Sequence, residues 1–407
     1  MHNERVEMVI KMKHVEQKTD SVSSLTGSMR NSSIELLRLL SMIMIVASHY
    51  VRGFKAGGWG EWLEVQPLSF TKFFFYIFYL GGGWVGNMIF FSISVWFLLD
   101  RHVTVKNSFK RIWLMERELV FWGLVLASGS IILYTTKVQP FVQYSSLSSV
   151  ASLPIRSLMP LSFDLWWYAT SYALFLLFLP YLSRGLQSLG RKLHGMLAAS
   201  LLIIWGIVGI IPLIRFNLSK MSVFVFLYWF ILISYYKWYM KEFSNETCFK
   251  LIIGGLSFNT LYWLGANLLH KYTGKMLTLQ DYPFDHWMIS EMAIGFGVFL
   301  LFSRKQFYSK TINILAGSAF GVYLIHTYPN MGDLFTSFAP IAKVYSNPWA
   351  IVIAFLYVLT LFAFCLILDL LRQGLFAITV NRQRGRGFEK FYTFIKHAIR
   401  SKYNDAN

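Results

Sequence analysis

Long apolar runs separated by short polar stretches dominate the chain. Neither the two-residue alternation of a half-buried strand nor the narrow stripe of a surface helix organises them. A bilayer core takes about 20 mostly apolar residues per helical span, and windows of that length predict about ten spans. They fall at 33–51, 84–99, 119–135, 165–182, 196–214, 222–236, 249–268, 287–303, 311–328 and 349–371. The pattern predicts an all-α integral membrane protein with ten transmembrane helices in a membrane domain over 32–371. A disordered cytoplasmic tail over 1–31 precedes it, without an apolar run of signal-peptide length, and a basic cytoplasmic tail over 372–407 follows it. The segment PLSFTKFFFYIFYLGGGW, 67–84, is apolar but short and ends in three glycines. It predicts a partial helix at 70–80 lying on the outer side, not a span.

Composition agrees with this class: 55% of the residues are hydrophobic, 18% aromatic and 14% charged, a balance foreign to soluble domains of this length. The net charge of +18 raises the question of nucleic acid, but its distribution gives a different answer. With the N-terminus inside, 28 of the 38 Lys and Arg fall on the cytoplasmic side and 10 outside. Such a bias is the positive-inside signature of an even number of spans with both termini in the cytoplasm. No nucleic-acid partner is expected. Membrane lipid is the expected partner of the tail VNRQRGRGFEKFYTFIKHAIRSK, with Phe391, Phe394 and Ile395 as its apolar side, and a plain solvated tail is the alternative. Cys248 and Cys365 suggest neither a disulfide nor a zinc site.

Against this background the first span, SSIELLRLLSMIMIVASHY, stands out for carrying Glu35, Arg38 and His49. At 100° per residue, eleven steps make three turns plus about 20°, so the three share one stripe, with His49 about 16.5 Å beyond Arg38. Charged groups inside a span are costly, and such a stripe should face protein or water, not lipid. Taken singly, each has a plainer reading: Arg38 as a snorkelling cation paired with Glu35, His49 as an interfacial histidine with one hydrogen bond.

The combination of an acidic residue, an arginine three later and a histidine eleven after that resembles the first span of membrane acyltransferase family 3, the bacterial surface-polysaccharide O-acyltransferases. Further segments carry the resemblance in order. IFFSISVWFLL, 89–99, resembles the family's second-span motif but has Val95 where glycine is usual. KNSFKRIWLMERE, 106–118, resembles its basic entry to the third span, and LWWYATSYALFLLFLPYL its fourth. GSAFGVYLIHTYP, 317–329, is similar to its penultimate segment, with Ser318, Gly321, Tyr323 and His326 in place. The likeness covers about 32–371.

What the resemblance implies is a multi-pass protein of the bacterial cytoplasmic membrane that transfers an acyl group, most often acetyl, from acyl-CoA to a hydroxyl of a surface polysaccharide or its lipid-linked precursor. Acyl-CoA is then a co-substrate, and no permanently bound cofactor or metal is expected. The implied catalytic set is His49 as base, Arg38 as a forked cation for phosphate or carbonyl, and Glu35 holding Arg38. These are chemically apt, since imidazole both takes and returns a proton and guanidinium carries a fixed charge. Donor phosphates call for inner-face cations, for which Arg101, Lys110, Arg111 and Arg117 are the candidates, interleaved with Phe109 and Trp113; an ordinary positive-inside loop is the alternative. On the acceptor side Asn87, Glu291 and His326 are expected near the level of His49, with Trp166 and Tyr323 nearby. A flippase or exporter of a lipid-linked sugar is the competing function. It would line a large cavity with charges from several helices, whereas intramembrane charge here concentrates in the first span.

Overall fold

The structure, a computed structural model, describes residues 31–54, 60–100, 103–212, 214, 218, 222–275, 277–383 and 385–404. The expected disordered segment 1–31 therefore lies outside the described residues except for Asn31. No strand occurs among the described residues. Numbering the principal helices in chain order gives α1 Ser32–Arg52, α2 Phe70–Trp96, α3 Val105–Thr135, α4 Leu147–Leu158 and α5 Trp167–Ile210. After them come α6 Val223–Tyr239, α7 Asn245–Thr273, α8 Ile289–Ser303, α9 Lys310–Ala316, α10 Ala319–His326, α11 Met331–Phe338, α12 Ala350–Ile378 and α13 Arg386–Asn404. Five of them, α1, α2, α3, α5 and α12, are long and apolar enough to cross a membrane, and α6 and α8 are shorter apolar helices. Helix lies over each of the ten apolar segments of the sequence, but not always as one uninterrupted piece per segment.

Three boundaries depart from expectation. Residues 70–80 are not a separate interfacial helix. They run without a break through Gly81, Gly82 and Gly83 into the second span, the stretch Phe75–Leu80 being wound as a π-helix. A run of glycine reads as a break in isolation, yet in a packed bundle it lets two backbones approach closely. Here a Cβ on Gly83 would stand 2.2 Å from Ser48 Cβ, and one on Gly86 would stand 2.7 Å from the Ser41 carbonyl. The glycines thus press α2 against α1.

The segments 165–182 and 196–214 are joined by helix and not by a loop, interrupted at Gly190, whose φ of 67° and ψ of 178° are not helical. A straight helix of 44 residues would measure about 66 Å at 1.5 Å per residue, twice a bilayer core. The interruption divides α5 into two stretches of about span length. Finally, 311–328 is two short helices, α9 and α10, with Gly317 and Ser318 between them.

α1 is the hub of the bundle, packed against α2, α8, α9, α10, α11 and α12. Polar side chains fix its first turn. Asn31 caps it by accepting from the Ser33 amide and donates to the Lys305 carbonyl at 2.8 Å. Ser33 donates to the Phe302 carbonyl at 2.8 Å, and the Ser32 hydroxyl lies 2.8 Å from the Asn313 side chain. At the other end Gly53, at a left-handed φ of 68°, turns its N–H back onto the His49 and Tyr50 carbonyls and stops the helix just past the histidine.

A buried ionic knot ties α3, α10 and α12. Arg372 binds Asp369 in two places, at 2.7 and 2.9 Å, and lies 3.1 Å from Glu118, while the Trp122 indole donates to Asp369 at 2.8 Å. Gly321 of α10 leaves the room, since a Cβ there would stand 1.9 Å from an Asp369 oxygen.

Candidate active site

His49 sits one turn before the end of α1, and His326 is the last residue of α10. Their rings meet across the bundle, with His49 Nδ1 2.9 Å from His326 Nε2. His326 Nδ1 lies 2.7 Å from the Val322 carbonyl, and since a carbonyl only accepts, that nitrogen carries the proton. In a neutral His326 the Nε2 lone pair is then the acceptor for His49 Nδ1–H. One nitrogen of His49 is left unprotonated, Nε2, the position a general base needs.

A small pocket of about 20 Å³ opens beside this ring, lined by Ile45, Ser48, His49, Arg52, Gly83, Trp84, Asn87 and Trp167. The Arg52 guanidinium lies 4.4 Å from the centre of the Trp84 ring. His286 fills in behind, 5.0 Å from Trp84 and stacked at 6.1 Å on Trp167. Among the described residues Asn87 makes no hydrogen bond, so its amide is uncommitted at the pocket wall.

The remaining sequence candidates divide. Arg38 is paired with Glu35 one turn back, both on the stripe with His49. Arg38 and Arg111 lie within electrostatic range of the Tyr172 hydroxyl, so α1 and the start of α3 bring two guanidinium groups toward one point. Arg117 donates to the Asn381 side chain at 3.1 Å, and Lys110 pairs with Glu389 at 2.9 Å, so both are engaged by the C-terminal segment. Lys106 holds the other Glu389 oxygen at 2.7 Å. Hydrogen bonds from these two lysines hold the exposed Glu389 carboxyl below its ordinary range. Trp113 is exposed, with one face covered by Phe391, stacked on it at 5.5 Å. Arg101 lies outside the described residues.

On the acceptor side, Glu291 is fully buried and accepts from Asn259 at 3.0 Å, apart from the residues that line the pocket. Trp166 donates to the Leu324 carbonyl at 3.0 Å, and the Tyr323 hydroxyl accepts from the Tyr168 amide at 3.3 Å, with its ring 6.3 Å from His326. These two brace the helix that carries His326 and do not line the pocket. Among the described residues no three His, Cys, Asp or Glu groups converge as metal ligands. Arg52, Trp84 and Trp167 were not legible as site residues. Arg52 stands just past the predicted span 33–51 and Trp84 opens the one at 84–99; only packing brings them and Trp167 to His49.

A helical bundle that sets a histidine pair at its hub, with a pocket on one side and the guanidinium groups of Arg38 on α1 and Arg111 on α3 converging elsewhere, belongs to the class of membrane-embedded enzymes. A family model described as an acyltransferase domain, that of acyltransferase family 3, matches residues 31–369, and the chain belongs to that family. No curated protein and no solved structure matches it.

Proposed function

We propose that the protein is an acyl-CoA-dependent O-acyltransferase of the cytoplasmic membrane, moving an acetyl group to a hydroxyl of a surface polysaccharide or its lipid-linked precursor. The observation that carries this reading is the His49–His326 pair with its free Nε2 beside a pocket. A sugar hydroxyl is a poor nucleophile at neutral pH and needs a base at hydrogen-bonding distance. His49 Nε2 takes the hydroxyl proton as the oxygen attacks the thioester carbonyl. The new C–O bond forms, the C–S bond breaks, and His49 returns the proton to the departing thiolate, leaving ester and free CoA thiol.

His326 steadies the imidazolium during transfer because its Nε2 accepts from Nδ1–H throughout. The Asn87 amide and the Arg52 guanidinium, at the same pocket, suit the developing oxyanion. Arg38 and Arg111 suit the carrier's phosphates, a role for which Lys110 and Arg117 would first have to leave Glu389 and Asn381. Acyl-CoA serves as co-substrate only.

The test is His49→Ala at matched protein level, with ester-linked acetate on the envelope polysaccharide read by proton NMR. Loss of a general base lowers the rate by about 100-fold or more. Unchanged acetate in this variant would remove the catalytic assignment.

A further inference from the structure

The pocket at His49 is small, and its walls are of a kind that fixes its size. A site able to hold one water needs about 10–15 Å³, so about 20 Å³ admits one methyl-sized group and little more. Trp84 is buried and Trp167 half-buried, and both rings are backed by His286, at 5.0 and 6.1 Å. Arg52 lies over the Trp84 ring, its guanidinium 4.4 Å from the ring centre. On the third side the floor cannot recede, because Gly83 and Ser48 already hold α1 and α2 at contact; a single added Cβ would come within 2.2 Å of Ser48 Cβ.

From this we infer that Trp84 and Trp167 are specificity-determining residues that limit the transferred group to two carbons. The inference rests on the proposed acyl-CoA reaction. An acetyl thioester that brings its carbonyl to His49 Nε2 places only a methyl in the pocket. A butyryl group adds two methylenes and a succinyl group adds a methylene and a carboxylate, and neither fits in the about 20 Å³ that the two tryptophans help to line. Truncating either tryptophan removes a wall without touching His49, His326 or the guanidinium groups nearer the start of α1.

The experiment uses the full chain purified in detergent. Tritiated acetyl-CoA is bound, then displaced by unlabelled CoA, acetyl-CoA, butyryl-CoA or succinyl-CoA, and each thioester is expressed relative to CoA for the same variant. In the unaltered protein butyryl-CoA and succinyl-CoA are expected to compete at least about tenfold more weakly than acetyl-CoA. Trp167→Ala is expected to bring butyryl-CoA within about threefold of acetyl-CoA. Trp84→Leu provides a second widening should the first variant fail to fold. Equal competition by all three thioesters in the unaltered protein, or the same discrimination in both folded variants, overturns the size limit alone. Absence of binding by CoA and every thioester would remove the acyl-CoA reading and this inference with it, and is a separate pattern.

Discussion

Replacing His326 separates a positioning role from a merely structural one. Its Nε2 receives the His49 Nδ1 proton at 2.9 Å, and its own Nδ1 is anchored to the Val322 carbonyl at 2.7 Å, so it fixes both the tautomer and the orientation of the base. His326→Leu keeps similar bulk and removes the acceptor. When His49 is protonated in the transition state the lost bond is one to a charged donor, worth about 1.5–3 kcal/mol. At about 1.4 kcal/mol per decade this lowers kcat by about 10- to 150-fold. KM for acetyl-CoA should stay close to its original value, because the contact lies in the C-terminal half of α1, three turns from Arg38. His326→Gln restores an acceptor oxygen and should recover part of the loss, which a simple packing defect would not do. The assay is initial transfer of labelled acetyl from acetyl-CoA to envelope polysaccharide in washed membranes, with protein matched by immunoblot. Retention of more than half the original kcat by His326→Leu, or equal loss in the Leu and Gln variants, would refute the relay.

Arg38→Lys keeps the charge but loses the fork opposite Glu35 and Arg111, and is expected to weaken acetyl-CoA binding several-fold in the displacement assay, where a snorkelling cation would tolerate lysine. Gly321→Ala forces a methyl to within 1.9 Å of Asp369 and should destabilise the bundle by the upper end of the about 1–3 kcal/mol typical of overpacking, measured as a lower unfolding midpoint in detergent. Burial first, and the neighbouring Asp281 second, push the Glu64 carboxyl up from 4.5 to about 7. The folded protein thus holds this proton more tightly than the unfolded chain. Its contribution to stability is full below pH 4.5, and is lost as pH rises through 7. Thermal stability should fall between pH 5 and 8 to a smaller degree in Glu64→Gln than in the unaltered protein.

Hydropathy alone located the helices, because burial of backbone polar groups in lipid leaves a helix as the only economical answer for each apolar run. The stripe of Glu35, Arg38 and His49 was legible for a similar reason, since three residues on one helix need only helical geometry to be aligned. Span lengths put His326 and Asn87 near the level of His49, but a level is not a contact, and nothing near Val322 or His326 in the chain marks the two histidines as hydrogen-bonded partners. Nothing in the C-terminal segment announces that Glu389 and Phe391 will meet Lys106, Lys110 and Trp113. The triple glycine at 81–83 was misread as an ending because its small size is informative only once the facing helix is known.

The distance in sequence between the two histidines carries a consequence for how the enzyme comes into being. His49 is made 277 residues before its partner, and Ser32 at the head of the same helix waits 281 residues for Asn313. At about 5–20 residues per second, the first helix spends about 14–55 s in the membrane before His326 is even synthesised. During that interval Glu35, Arg38 and His49 lack the surfaces of α8 to α12 that will cover them. A nascent chain with such a stripe is poorly suited to open lipid. It should dwell beside the insertion machinery, shielded there until the ninth and tenth helices arrive, so that catalytic competence and release from the insertase coincide near the end of synthesis.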